Sequence, residues 1–286
     1  MKYRLGTVMG GILLGLLLSW GSPLHAATPD RGLFITPSRQ YPTVHAGQTV
    51  TQSLTVANLT ENDMTIALSV EQFSVADYNY DYAFYVPKDN WVYVEKNQLS
   101  LGSGQSQKLA YTIKAPTDAT PGGHYFTIFA SVTLASGEHV RAAMVVYVTV
   151  DGKLVKTSAI THDTFPMVSF GGDIPFKLDV QDKGNTHFFI YTLGTITDGI
   201  ITKSVPETGH ILLPKTTRTV DYVIPTPIMP GLYRANYGYK TDNGQIVQKT
   251  KLFLYAPLWS FAVAAGLVWF SVVLIRRHQR LSTKNK

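Results

Sequence analysis

The sequence predicts an all-β fold: two tandem immunoglobulin-like β-sandwich domains, with an N-terminal signal peptide before them and a transmembrane α-helix after them. Three observations carry this reading. Apolar and polar residues alternate with period two from Thr49 to Tyr255, and turn signals break the pattern every ten residues or so. About 230 residues lie between the two apolar ends of the chain, enough for two domains of ordinary size. The run Leu258 to Ile275 has no charge and is followed by Arg276-Arg277. As a helix it would be roughly 27 Å long, close to the ~30 Å hydrocarbon core of a bilayer.

The elements follow in order. Residues 1–27 read as a cleaved secretory signal: Lys2 and Arg4 precede an apolar run, Gly21-Ser-Pro23 breaks it, and Ala26-Ala27 suits cleavage. In the first sandwich, 28–150, Val50, Leu54 and Val56 alternate with Thr51, Ser53 and Thr55, and Ile66, Leu68 and Val70 repeat the pattern. Trp91 to Val94, Leu109 to Ile113, Tyr125 to Leu134 and Val140 to Val150 are further strands, separated by Gly102-Ser-Gly104, Pro121-Gly-Gly123 and Ser136-Gly137. The second sandwich, 151–256, starts with Leu154 to Ile160. It continues through Ile174 to Val180, Phe188 to Ile196, His210 to Leu213, Thr219 to Ile224, Leu232 to Tyr239 and Ile246 to Tyr255. Asp242-Asn-Gly244 is a hairpin signal. The two halves share a Pro-Gly ahead of a tyrosine, at Pro121-Gly-Gly-His-Tyr125 and Pro230-Gly-Leu-Tyr233. The membrane helix takes 257–275. The tail 276–286 is basic, which by the positive-inside rule puts it in the cytoplasm and the sandwiches outside the cell membrane.

Charge and composition exclude several classes. The net charge of +6 belongs to the two ends. Residues 28–257 hold 18 basic against 19 acidic side chains, so no basic patch points to nucleic acid. With no cysteine, the chain has neither disulfides nor thiolate chemistry, and burial alone must hold it together.

No motif calls for a catalytic residue, a metal or a cofactor. The histidines at 45, 124, 139, 162, 187, 210 and 278 form no HExxH pair, and Gly-x-Ser-x-Gly is absent. Asp77-Tyr-Asn-Tyr-Asp81 begins like a calcium loop, but Tyr82 and Lys88 stand where glycine and glutamate would be needed. Leu213-Pro-Lys-Thr216 lacks the glycine of a wall-sorting signal and reads as a loop before a strand. Asn58-Leu-Thr60 is a glycosylation sequon, and Ala262 and Gly266 have the spacing of a helix-packing pair. The aromatic stretch Tyr78, Tyr80, Tyr82, Phe84 and Tyr85 offers flat faces for a sugar or a protein, or else lines a hairpin. Trp91 nearby reads as core with a second reading as contact.

Phe34-Ile-Thr-Pro37 with Gln40, Ala46-Gly-Gln48, Val56-Ala-Asn58, Trp91 and Pro121-Gly-Gly-His-Tyr125 together resemble the bacterial WxL-interacting protein family. The resemblance covers the general layout and these short pieces. It implies a non-catalytic cell-surface protein, with peptidoglycan binding by the first domain and partner-protein binding by the second. The resulting ligand-binding candidates are Tyr78, Tyr80, Tyr82, Tyr85, Trp91, His124 and Tyr125, facing cell-wall glycan or a surface protein. The other expectation is a chaperone-like or assembly component that offers a sheet edge to another exported protein.

Overall fold

The computed structural model describes residues 32–134, 137–197, 200–227 and 229–282; the signal peptide lies outside them, as do the last four residues of the tail. The first sandwich comprises β1 (Leu33–Thr36), β2 (Arg39–Gln40), β3 (Thr43–Val44), β4 (Thr49–Asn58), β5 (Met64–Val75) and β6 (Tyr82–Tyr85). It continues with β7 (Val92–Val94), β8 (Gln98–Leu101), β9 (Ser106–Lys114), β10 (Gly122–Thr133) and β11 (His139–Val150). One sheet runs β1-β4-β9-β7, and the facing sheet runs β2-β11-β10-β5-β6, with β3 also on β11 and β8 on β5. Because successive side chains of a strand point to opposite faces, each alternating strand turns one row inward. Val56, Ile66, Tyr111, Phe126, Ile128 and Val146 meet in this way with no exposed surface. Each such burial stabilises by about 1.5–3 kcal/mol.

The second sandwich comprises β12 (Ser158–Asp163), β13 (Val168–Ser169), β14 (Ile174–Asp182), β15 (Phe188–Thr197) and β16 (Thr202–Ser204). Its remaining strands are β17 (Gly209–Leu212), β18 (Thr217–Ile224), β19 (Gly231–Thr241) and β20 (Ile246–Tyr255). Its sheets are β12-β14-β18 and β13-β20-β19-β15-β16, with β17 on β15. Phe176, Phe188, Tyr222, Tyr237 and Phe253 fill the space between them.

Both sandwiches divide their first strand in the same way. β1 pairs antiparallel with β4 of one sheet; after Pro37, β2 and β3 cross over and pair parallel with β11 of the other. Likewise β12 pairs antiparallel with β14, and β13 pairs parallel with the end of β20. Each domain thus ends on a long strand whose outer edge is covered over its last part only.

Three expectations need correction. Leu154 and Val155 do not start a strand, because Asn185 takes their segment's main chain: its Oδ1 accepts from Val155 N at 2.8 Å, and its Nδ2 donates to Lys153 O at 3.0 Å. The basic tail is not separate from the helix: α1 (Leu258–Ser282) runs through Arg276 and Arg277. No proline or glycine stops it there, and cations suit the negative C-terminal end of a helix dipole. The sequon asparagine is sealed off. Asn58 is fully buried, its Nδ2 donating to the carbonyls of Asn62, Leu101 and Gly102 and its Oδ1 accepting from Thr60.

Candidate functional site

The aromatic stretch of the first sandwich folds into the junction with the second. The hook Ala76 to Asp81, between β5 and β6, lies beside the start of β18: Tyr78 N donates to Thr217 O at 2.6 Å, and Thr219 N donates to Tyr78 O at 2.9 Å. Asp77 Oδ1 accepts from Thr217 N at 2.7 Å, so this carboxylate serves as a main-chain cap. Tyr80 is only 6% exposed. Its hydroxyl lies 2.5 Å from Thr216 Oγ1 and accepts from Leu213 N at 2.9 Å, while the Arg218 guanidinium sits 4.6 Å above its ring. Phe73, Tyr80 and Tyr147 of the first sandwich pack against Ile211 and Leu213 of the second. Tyr125 packs against Phe73 and against His187 across the junction, at ring separations of 5.5 and 5.6 Å.

Backbone conformation marks the same place. Among the described residues, three non-glycine positions have left-handed φ: Tyr78 and Tyr80 on the hook and Lys215 on the loop facing it. Such positions cost about 1–2 kcal/mol each and persist only where surrounding contacts over-determine them. Gly122 (φ 137°) packs so tightly beneath Asn185 that a Cβ would collide with the Asn185 carbonyl. Two buried titratable groups lie on the second-domain side of this seam. Desolvation pushes Asp182 up to about 7, although its Oδ1 accepts from Gly184 N, and desolvation pulls His187 down to about 4.

The other candidates are divided between core and surface. Trp91 is 8% exposed and buried in the first core, with the His124 ring over it at 4.3 Å and Phe126 beside it at 5.9 Å. Trp91 and His124 border a polar concavity of about 680 Å³. Its exposed ring is that of Tyr93, 45% open to solvent, with Lys114 Nζ 5.2 Å above its centre. Tyr82 is half exposed, its hydroxyl 3.0 Å from that of Tyr147, and Phe84 packs edge-on to Phe129. Tyr78 and Tyr85 remain exposed. The structure therefore divides the seven candidates: Tyr80 and Tyr125 belong to the junction, Trp91 and His124 pack against each other at a tilt, and Tyr78, Tyr82 and Tyr85 keep open surface. They do not converge on one groove.

What the fold does leave open is a strand edge. Val145 N donates to Ser38 O and Thr149 N to Pro42 O, both at 2.9 Å, so β2, β3 and their flanks cover the second half of β11. Main-chain groups alternate sides along a strand, so those of His139, Arg141 and Ala143 point outward as well. Among the described residues, no strand pairs with them. On the core-facing side of this half lie Val140 and Ala142, partly buried against the first core, and then Met144, fully buried. On the outer face Arg141 holds Glu71 at 2.5 Å and lies 3.6 Å above the Phe129 ring. The arrangement is a row of unpaired main-chain donors and acceptors bordered by apolar side chains.

No family model matches the chain, and no curated protein does. Among solved structures it is similar to CfaA, the class 5 fimbriae chaperone, at 10% identity over 79% of this chain and 100% of that one, with a TM-score of 0.45. It is also similar to the CsuC–CsuE chaperone–tip adhesion subunit pre-assembly complex of Acinetobacter baumannii Csu pili. There the identity is 11%, the coverage 79% of this chain and 99% of that one, and the TM-score 0.40. The E. coli chaperone DraB shares 15% identity over 79% of this chain and 96% of that one, with a TM-score of 0.38.

Sequence reasoning missed both the junction and the edge. Asn185 and Leu213-Pro-Lys-Thr216 were visible as loops, but nothing in their spacing shows that they face the Tyr78–Tyr80 hook. The edge left a fainter signal. In β11, His139 to Ala142 alternates polar with apolar, whereas Ala142 to Val148 is continuously apolar. A strand buried on both faces reads in the second way, so the change marks where cover begins.

Proposed function

We propose that this chain is a non-catalytic, membrane-anchored assembly component, which holds an extended segment of another exported protein along the open half of β11. The observation that carries this reading is the edge at His139, Arg141 and Ala143, unpaired among the described residues and bordered by Val140 and Ala142. A strand added there completes hydrogen bonds that are otherwise left to water and covers two half-buried apolar side chains, so main-chain pairing supplies affinity and alternate side chains supply specificity. The placement rests on α1, whose segment Leu258–Arg277 is long and apolar enough to cross a membrane and is not buried against the sandwiches. With the basic end of α1 in the cytoplasm, both sandwiches lie outside it and meet partners after export.

The concavity beside Trp91 supports glycan binding less well. The Trp91 indole is covered by His124, and Tyr93 has Lys114 over its face, so neither offers a bare ring to a sugar.

The test is isolation of the full-length chain from its native membranes, with and without Ala143→Pro. The Ala143 N–H points away from β10, so proline there removes an outward donor and leaves the β10–β11 ladder intact. The expected result is a protein that copurifies with the parent chain and is lost from the variant, while the melting temperature is unchanged. Undiminished copurification with the variant, or retention on peptidoglycan as the only interaction found, would overturn the reading.

A further inference from the structure

The end of the second sandwich nearest α1 exposes large apolar side chains together. Leu232 and Leu254 face each other across the β19–β20 pair, and Leu252 lies one outward position higher, opposite Arg234. All three leucines are about half exposed or more. Met167 and Phe170 flank β13, which pairs with the end of β20, and Met229 precedes β19. Three main-chain bonds tie this corner to the helix entrance: Leu254 N to Met167 O at 2.9 Å, Ala256 N to Ser169 O at 2.8 Å and Leu258 N to Phe170 O at 3.2 Å.

The outer face of β19 and β20 changes character with distance from the helix. Leu232 and Leu254 come first, Arg234 and Leu252 share the next level, then come Asn236, which accepts from Thr250 Oγ1 at 2.7 Å, and Gln248, and the exposed Ile246 opposite Lys240 ends the row. This is the order of chemistries met on leaving a bilayer: acyl chain, phosphate, water. Phe170 is bonded to the first helical residue, and a strand rises about 3.3 Å per residue, so Leu254 stands only about 13 Å from Leu258. Lipid lies within reach of this corner wherever the helix spans a membrane.

We infer that this corner is a lipid-binding seat: Leu232, Leu252, Leu254, Met167, Phe170 and Met229 enter the bilayer interface beside the helix, with Arg234 at the phosphate level. The second sandwich then leans on the membrane with the β19–β20 face instead of swivelling on Ala256-Pro257. The inference rests on the membrane-spanning reading of α1.

The chain has no cysteine, so Leu252→Cys, Leu232→Cys, Val268→Cys and Thr51→Cys each accept a single NBD label in the full-length protein. The labelled chains are reconstituted in vesicles of phosphatidylcholine and phosphatidylglycerol. Positions 252 and 232 are expected to emit to the blue and to be quenched by lipids spin-labelled near the headgroup. Position 268 should be quenched by lipids labelled at mid-chain, and position 51, exposed on the first sandwich, by neither. If 268 is quenched while 252 and 232 behave like 51, the seat is refuted and the anchor stands. If 268 is also unquenched, the anchor reading falls and the seat with it. Blue emission at 252 that lipid does not quench, and that fades as protein is diluted in lipid, would mean that a second copy covers the corner and would overturn the inference.

Discussion

β11 and β20 are counterparts, each the last strand of its sandwich and each capped in parallel only toward its end, yet their open halves are built differently. On β20 the core-facing row at the open edge includes Lys249 and Lys251, which reach Asp163 of β12 at 2.6 and 2.5 Å. Tyr237 Oη donates to the same carboxylate at 2.8 Å. Inward-pointing charges are a standard device against strand addition, because an incoming strand would have to cover them. On β11 the corresponding row is Val140, Ala142 and Met144. One edge is closed by an ionic clasp and the other is left receptive; under the proposed function, partner capture falls to the first sandwich and support to the second.

The largest expected effect separates the two sides of β11. Ala142 directs its N–H toward β10, so Ala142→Pro removes a ladder hydrogen bond, forces the proline ring against β10 and should unfold the first sandwich. Ala143→Pro, one residue later, should leave the melting curve in place; equal melting curves for the two variants would show that the facing of this strand is misassigned.

Next is the clasp. Burial alone would raise the Asp163 carboxyl, but the bonds from Lys249, Lys251 and Tyr237 hold it well below the usual carboxylate range. Asp163→Ala should lower stability by about 1–2 kcal/mol, since the lysines are partly solvated. A depressed carboxylate stabilises above its unfolded pKa and stops doing so only as pH falls through the folded value. Urea melts should therefore show the same deficit from pH 5 to pH 8, shrinking only in strong acid.

The junction provides a control that touches neither edge. Asp182 is raised to about 7 in the folded chain, so stability present below its unfolded value of about 3.9 is lost as pH rises through 7. Asp182→Asn keeps an acceptor for Gly184 N and should raise the melting temperature at pH 8 by several degrees, at roughly 2–4 °C per kcal/mol, with no gain at pH 4. Partner capture should not change. His187, lowered to about 4, works in the opposite sense: its contribution is lost as pH falls from about 6.5 toward 4.

A small effect on stability should come from copying the clasp's chemistry onto β11. Val140→Lys places a charge on a half-buried, core-facing edge position, where a long side chain can reach solvent. It should cost less than about 1 kcal/mol while abolishing partner capture, measured by copurification.

The fold was legible in the sequence because a half-buried strand must alternate: Leu54 with Thr55, Leu68 with Ser69, Leu178 with Asp179. Turn residues such as Asp242-Asn-Gly244 then divide the strands. The site was far less legible. Tyr80 and Tyr85 look alike in sequence, and only the position of Leu213 and Thr216 on another domain decides that Tyr80 is buried and Tyr85 is not. Strand neighbours are a long-range property as well. Only the change from alternation to a continuous apolar run within β11 hints that β2 stops short of His139 to Ala143. Lys249 and Lys251 read as solvated residues until Asp163 is seen between them.

The most direct test of the central claim compares the two edges in one experiment. A benzophenone amino acid replaces Ala143 on β11 or Gln248 on β20, each at an outward-directed main-chain position, and the full-length chain is irradiated in its native membranes. The account requires one dominant protein adduct from position 143, lost when Val140→Lys is added, and none from position 248. Adducts of equal strength from both positions, or an adduct at 143 that survives Val140→Lys, would contradict it.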